Sequence, residues 1–435
     1  MRGWKFFVSF LVLIFISKVA FAGEIDILVQ KLVDKGILTP GEAQQIVTET
    51  KEEVKKEIAK GTHSSLPSWV QNTKLKGDFR LRYQYDHAKV LANSATNKTG
   101  DQNRARIRAR LGLESKVNDK LLVGIGIATG KSDASGDAAR STNITLGGDG
   151  GFGKDPISLD YAFLQYSPTP WSTVVGGKFK NPLWEPGDLI WDTDINPEGG
   201  AIKLSNTKLL PNTELFMNAG VLLVENKNSW SADPTLFAVQ PGIVYNFTDK
   251  IQLKGALSYY DFTGARGKVL SGSSGTNSGA STGLWYSYRN VVPAVELGVK
   301  EPLKFLNLDL PYLGLFGEYV QNVALKSNSN TGDNNTGYML GLKFGAEKVE
   351  KWADWQVKYN YATLERDAIL DILPDSDRYG GKTGMRSHEL GVDWGLGKNT
   401  WISIDGYYGW QLKGNFGSSQ SKPASVLQVD WNLKF

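Results

Sequence analysis

The chain has 435 residues with 49 Lys+Arg, 45 Asp+Glu, three histidines and no cysteine. The lack of cysteine excludes disulfides and thiolate metal sites, and His63, His87 and His388 are too few for a histidine-rich metal centre. Charge this evenly balanced does not call for a nucleic-acid partner, so any electrostatic function must reside in local patches.

The chain opens like an export signal. Arg2 and Lys5 precede an apolar run, Phe6 to Ile16, broken only by Ser9, and Ala20-Phe21-Ala22 offers small residues at the cleavage positions. Cleavage after Ala22 is expected. The run is shorter than the roughly 20 residues a spanning helix needs, which argues against an uncleaved anchor. Removing Arg2, Lys5 and Lys18 leaves 46 basic against 45 acidic residues. No later segment has the composition of a transmembrane helix.

Residues 23–66 carry a helical rather than a strand pattern. Ile25, Leu28, Val29, Leu32 and Val33 recur at helical spacing up to Gly36. Thr39-Pro40-Gly41-Glu42 then has the form of a capping box with Pro at the first helical position. Ala43, Ile46, Val47, Thr50, Val54 and Ile58 continue one stripe, and Leu66-Pro67 ends the segment. A periplasmic appendage is expected here. A trimeric coiled coil, a cell-wall tether and a hairpin on a barrel mouth all remain open.

From Thr73 onward the period changes to two. Lys74, Lys76, Asp78, Arg80 and Arg82 alternate with Leu75, Gly77, Phe79, Leu81 and Tyr83. Arg104, Arg106, Arg108 and Arg110 alternate with Ala105, Ile107, Ala109 and Leu111. Sixteen such segments lie near 73–86, 102–115, 119–130, 157–167, 171–180, 199–206, 212–225, 235–247, 250–262, 289–300, 308–321, 336–347, 353–365, 385–396, 399–412 and 424–435. Short connections follow even-numbered strands. Long ones, rich in Gly, Ser, Asn and Asp, follow odd-numbered strands. Alternation alone is compatible with a soluble sandwich, but a long–short rhythm is the pattern of an outer-membrane barrel. Many of the 13 Trp, 17 Tyr and 18 Phe fall near strand ends, where interfacial girdles sit.

Two places would select solutes. On the first two strands, Arg80, Arg82, Arg104, Arg106, Arg108 and Arg110 share the polar face. In a watery lumen they would favour anions. The alternative is a solvated face neutralised by acids such as Asp78 and Glu114. The connection after the fifth strand, residues 181–194, is aromatic and acidic. Folded inward, it would pack Trp184 and Trp191 on the wall and turn Glu185, Asp188, Asp192 and Asp194 toward the pore, and Glu198 is counted in the same constriction loop. The alternative is an external loop.

Gly176-Gly177-Lys178-Phe179-Lys180-Asn181-Pro182-Leu183-Trp184, Asp188-Leu189-Ile190-Trp191-Asp192 and Asn196-Pro197-Glu198-Gly199-Gly200 resemble the bacterial Putative porin family. The arginine-rich second strand and the helical N-terminal segment fit as well, and the resemblance extends over the whole mature chain. It implies a channel with about sixteen strands. In general porins, the loop after strand five folds inward as a constriction. The family's solutes are mostly unassigned. Resemblance to phosphate-selective porins is weaker, since the basic residues cluster on two strands.

Other signals carry less. Gly124 to Ser132 mimics a phosphate loop, but Ile125 stands where glycine is required, and glycines that ease strand curvature suffice as an explanation. His388 shares a face with Leu390, Val392 and Trp394 and should point outward, so no catalytic constellation forms and no enzyme is expected. Asp371, Asp375 and Asp377 lack EF-hand spacing. The final strand alternates Leu427, Val429, Trp431 and Leu433 with Gln428, Asp430, Asn432 and Lys434. It stops on Phe435, resembling the assembly signal of bacterial outer-membrane barrels.

The expected architecture is all-β: residues 1–22 as signal, 23–66 as periplasmic helical segment and linker, and 67–435 as a transmembrane antiparallel β-barrel of about 16 strands. The expected function is passive diffusion of ions and small polar solutes, with a mild anion preference and no cofactor or metal. The alternatives are a channel selective for one anion or nutrient and, further off, a barrel enzyme or cell-wall tether. Expected partners are outer-membrane lipids, periplasmic chaperones and the barrel-assembly machinery. The oligomeric state stays open, a homotrimer among the candidates.

Overall fold

The structure is a computed structural model. It describes residues 39, 41–45, 48–49, 68–89, 100–130, 139–148, 150, 152–226, 233–324, 334–412 and 423–435. The expected signal segment and most of the N-terminal helical stripe lie outside the described residues. The chain divides into two units, Met1–Gln71 and Asn72–Phe435.

In the first unit the capping box is formed. The Thr39 N–H donates to Glu42 Oε2 at 2.9 Å, and the Glu42 N–H donates to Thr39 Oγ1 at 3.3 Å. Residues 41–45 are helical behind it, and a one-turn helix covers Ser68–Gln71.

The second unit is a closed antiparallel barrel. Its staves are β1 (Thr73–Lys89), β2 (Gly100–Asn118), β3 (Leu121–Thr129), β4 (Ile157–Thr169), β5 (Ser172–Lys178), β6 (Glu198–Leu210), β7 (Thr213–Leu223), β8 (Thr235–Asn246), β9 (Ile251–Thr263), β10 (Tyr288–Lys300), β11 (Tyr312–Asn322), β12 (Thr336–Gly345), β13 (Trp355–Leu364), β14 (Met385–Gly397), β15 (Thr400–Gln411) and β16 (Ala424–Lys434). Each pairs with the next, and β1 closes the ring on β16 from Asp78↔Lys434 to His87↔Ser425. A two-residue strand, Ile144–Thr145, adds to β2 within the connection between β3 and β4. All sixteen strands read from the sequence are present, with ends shifted by a few residues. Closure matters physically, because in hydrocarbon every backbone donor and acceptor must be paired within the protein.

The two faces of the barrel wall are chemically opposite. Leu111, Leu113, Ile125, Leu164, Leu390 and Leu427 are exposed, while Gln428, Asp430, Glu389 and Asn290 are buried. Aliphatic side chains exposed around an entire wall are stable only against lipid. Trp171, Phe247, Trp352 and Trp394 stand out at the short-turn end, and Tyr319, Tyr338 and Tyr408 near the long-loop end. This is the arrangement of two aromatic girdles. His388 lies on the outer face among Tyr359, Tyr361 and Trp410, with its Nδ1 2.7 Å from the Tyr359 hydroxyl.

Glycines make room for rings rather than only curving strands. A Cβ at Gly126 would fall 2.3 Å from the Tyr161 ring and one at Gly124 2.5 Å from the Phe163 ring, so both rings lie flat against the inner wall. A β-bulge where Gly126 pairs with Tyr161 and Ile127 with Leu159 places Asp160 as the extra residue.

The seam closes on Gly77 and Phe435, which exchange backbone hydrogen bonds of 3.0 Å in both directions. A Cβ at Gly77 would come within 2.4 Å of the Phe435 ring. Gly77→Val is therefore expected to lower the yield of folded barrel, measured as the heat-modifiable band on denaturing gels. An unchanged folded fraction would show that the seam does not depend on this fit.

Candidate functional site: an arginine wall and an inward-folded loop

Register sets the central electrostatic problem. Arg80 stands opposite Arg108, and Arg82 opposite Arg106, across the β1–β2 pair. Like charges directly opposed on one face repel each other. Strand alternation puts Arg104 and Arg110 on the same inner face, at either end of this block.

Acids from three sources offset the repulsion. From the wall, Asp78 receives Arg108 and Arg110 at 2.9 and 2.7 Å, and Asp86 receives Arg104 at 2.8 Å. Across the seam, Asp430 of β16 takes a two-pronged contact from Arg82, Nε and Nη2 each at 2.8 Å, with Arg80 at 3.5 Å. From loops folded into the lumen, Asp377 meets Arg82 at 3.1 Å, and Asp194 meets Arg110 at 3.3 Å and Arg108 at 4.0 Å. Arg106 donates to Gln84 and Ser141. Burial works against ionisation of Asp377, but the Arg82, Arg80 and Arg106 guanidiniums outweigh it and hold the carboxyl down to about 2. Glu114, the other acid considered as a partner for these arginines, pairs with Lys76.

Residues 179–197, between β5 and β6, cross the lumen. The Trp184 backbone is held at both ends by the Gln240 side chain of β8, at 2.7 and 2.8 Å, with Lys254 Nζ 4.6 Å over the Trp184 ring. Tyr260 of β9 donates to Glu185, and the Leu189 N–H donates to Glu318 of β11 at 3.0 Å. Asp188 pairs with Arg378 at 2.9 Å, and Arg378 in turn with Glu389 of β14 at 2.6 Å. The loop thus runs from the far wall back to the arginines, which it reaches at Asp194.

Leu189, Ile190 and Trp191 are almost fully buried. They join Ala265, Leu270 and Leu284 from the 264–287 connection, Ala368, Ile369, Leu370 and Leu373 from the 365–384 connection, and inward residues such as Phe262, Val292, Val320, Met339 and Leu364. The two connections are locked together. Asp371 accepts from the backbone of Thr276 and Asn277 at 2.6 and 3.1 Å, and Asp367 from Ser278 and the Tyr288 hydroxyl. Arg140 donates to the carbonyls of Asp371, Pro374 and Gly381 on one connection and of Gly272 on the other.

No separate plug domain is present among the described residues, but loops build an apolar core inside the barrel that reaches inner-face residues from Val175 of β5 to Met385 of β14. The expectation that four loop acids face the opening is corrected. Only Asp194 reaches the wall arginines. Asp192 is buried and accepts from the Ser376 and Asp194 backbones, Asp188 is taken by Arg378, and Glu185 is half-buried and accepts from the Tyr260 hydroxyl. Burial, reinforced by the Glu318 carboxylate, pushes Glu185 well above the usual carboxylate range. Glu198 is the first residue of β6 rather than part of the loop, and pairs with Lys178 at 3.0 Å. Asp377, Asp430 and Arg378 were not singled out as site residues from the sequence. Only the alternation of the last strand hinted at Asp430.

Open space remains beside the arginines. A cavity of about 520 Å³ lies against Arg110, Asp78, Tyr161 and Lys203, and one of about 450 Å³ against Thr142, Asp160, Asp194 and Asn196.

Removing Arg82 leaves Asp430 buried beside a single, more distant arginine. Arg82→Ala is expected to cost about 3–5 kcal/mol in urea unfolding from lipid vesicles, and adding Asp430→Asn should restore part of it. A loss under about 0.5 kcal/mol would contradict a dependence on this pair.

Comparison with known proteins bears on the fold and the family. No curated protein sequence gives a significant match. Among solved structures, OprB of Pseudomonas putida is similar over 84% of this chain and 95% of its own, with 12% identity and a TM-score of 0.52. OmpF of Salmonella typhi, in complex with daunomycin, matches with 13% identity over 83% and 97% of the two chains and a TM-score of 0.47. A loop-deletion mutant of OmpT, an outer membrane protein of Vibrio cholerae, matches with 12% identity over 84% and 100%, with a TM-score of 0.46. At such identities the OprB likeness speaks to the fold alone. The family model described as Putative porin matches residues 44–289 and 274–435, and the chain belongs to that family of outer-membrane channels.

Proposed function

We propose that the protein passes ions and small polar solutes passively through the space left beside the arginine wall, with a mild preference for anions. The observation that carries this reading is the opposition of Arg108 and Arg110 to Asp194 at the end of the inward loop. These contacts leave a wall of mixed charge beside the open space, and the field of such a wall orders water and favours polar solutes over apolar ones. The preference is mild because six arginines (80, 82, 104, 106, 108 and 110) face five nearby acids (Asp78, Asp86, Asp194, Asp377 and Asp430).

In this reading the long-loop end is extracellular, the short-turn end and the N-terminal segment are periplasmic, and residues 1–22 are removed on export. Phe435 is read by the barrel-assembly machinery after chaperone escort. The apolar outer wall contacts outer-membrane lipid, and a homotrimer is the assembly we favour. Porin family and barrel fold both point to a channel rather than an enzyme.

Planar-bilayer recording tests the reading. The full chain should form steady channels, with a reversal potential in a salt gradient displaced toward anions. Replacing Arg108 and Arg110 together by Gln should move that potential toward cations, since it leaves Asp78 and Asp194 uncompensated. An absence of channels would refute the function. An unmoved reversal potential would assign the arginines to structure alone.

A further inference from the structure

The cavity of about 520 Å³ below the inward loop combines two features that the diffusion reading does not use. The first is an excess of cations. Arg110 shares Asp78 and Asp194, and Lys76 is paired with Glu114. Lys180, Lys203 and Lys434 line the same cavity, and among the described residues none has an acidic partner within ion-pair distance. Lys434 instead sits 5.2 Å over the Trp401 ring. Only Asp160 remains as a lining acid without a cation in contact, and it accepts from Asn196 at 2.7 Å.

The second feature is a floor of two aromatic rings. Tyr161 and Phe163 line the cavity with ring centroids 5.8 Å apart and planes 36° from each other. They lie against the wall because Gly112, Gly124 and Gly126 offer no Cβ to lift them. Aromatic surface held flat in water is costly to leave bare and is suited to receive another flat ring.

We infer that this cavity is a binding station for planar organic anions, meaning a carboxylate carried on an aromatic or similarly flat ring. The lysines attract the carboxylate while the ring lies on Tyr161 and Phe163. The inference rests on the porin reading and refines it from general diffusion to a preferred solute class. A solute with charge alone or ring alone would gain only one of the two contacts.

The test uses the full-chain protein in planar bilayers with sodium benzoate, sodium acetate and benzamide as probes. Benzoate should reduce the current at a concentration about fivefold or more below that of either other probe. Lys203→Gln and Tyr161→Leu should each raise the benzoate concentration needed by about fivefold, the size of a single ionic or ring contact. If the Tyr161 variant does not fold, the lysine variant still decides. Equal effects of benzoate and acetate, or a benzoate effect unchanged in Lys203→Gln, would overturn the inference while leaving the porin intact. A wild-type chain that forms no channel would overturn both.

Discussion

Arg80, Arg82, Arg106 and Arg108 face one another across a single strand pair, and this block of guanidiniums is the constraint on which the rest of the lumen depends. Strand register fixes their backbones, so the repulsion cannot be relieved by moving apart. Acid has to be brought to them. β1 and β2 supply Asp78 and Asp86, the last strand supplies Asp430, and two long connections supply Asp194 and Asp377. Closing the barrel and folding its loops inward are therefore coupled. The seam delivers Asp430 only when β16 reaches β1, and the wall offers the loops a counter-charge only when it is formed.

The loops are also held by means unrelated to charge. Gln240, Tyr260 and Glu318 on the far wall grip the backbone and Glu185 of residues 179–197. Leu189, Ile190 and Trp191 enter an apolar core that the 264–287 and 365–384 connections complete. An ordinary buried core thus sits inside a barrel whose other half keeps polar walls. The lumen is thereby divided, with hydrophobic packing on one side and mixed charge and open cavities on the other. Rigid packing on the far side is what allows Asp194 to be placed within reach of the arginines.

The barrel was legible in the sequence because its two governing patterns are local. A period of two tells lipid face from lumen face, and the alternation of long and short connections tells loop end from turn end. The arginine face and the unusual character of residues 181–194 were legible for the same reason. What escaped depends on pairing across the fold. Nothing local says that Arg80 will lie opposite Arg108 or that Asp377 will meet Arg82. Residues 264–287 read as a Gly/Ser-rich surface loop, yet Asn277 and Ser278 bind the acids of the 365–384 connection. Glu185 and Asp192 looked like pore acids because sequence shows charge but not the partners a side chain will meet. Gly124 and Gly126 looked like curvature residues because the rings they accommodate are more than thirty positions away.

On the proposed path, water and solutes follow the arginine wall and not the loop-filled side of the lumen. The natural chain has no cysteine, so single cysteines report on this without background. One cysteine would replace Asp160 beside the wall, and another Ser258, buried on the inner face of β9. The measurement is the open-channel current before and after a charged, thiol-specific reagent. Modification at position 160 should lower the current within the exposure, and the Ser258→Cys channel should keep its current. Block at position 258, or none at position 160, would contradict an off-centre path along the arginines.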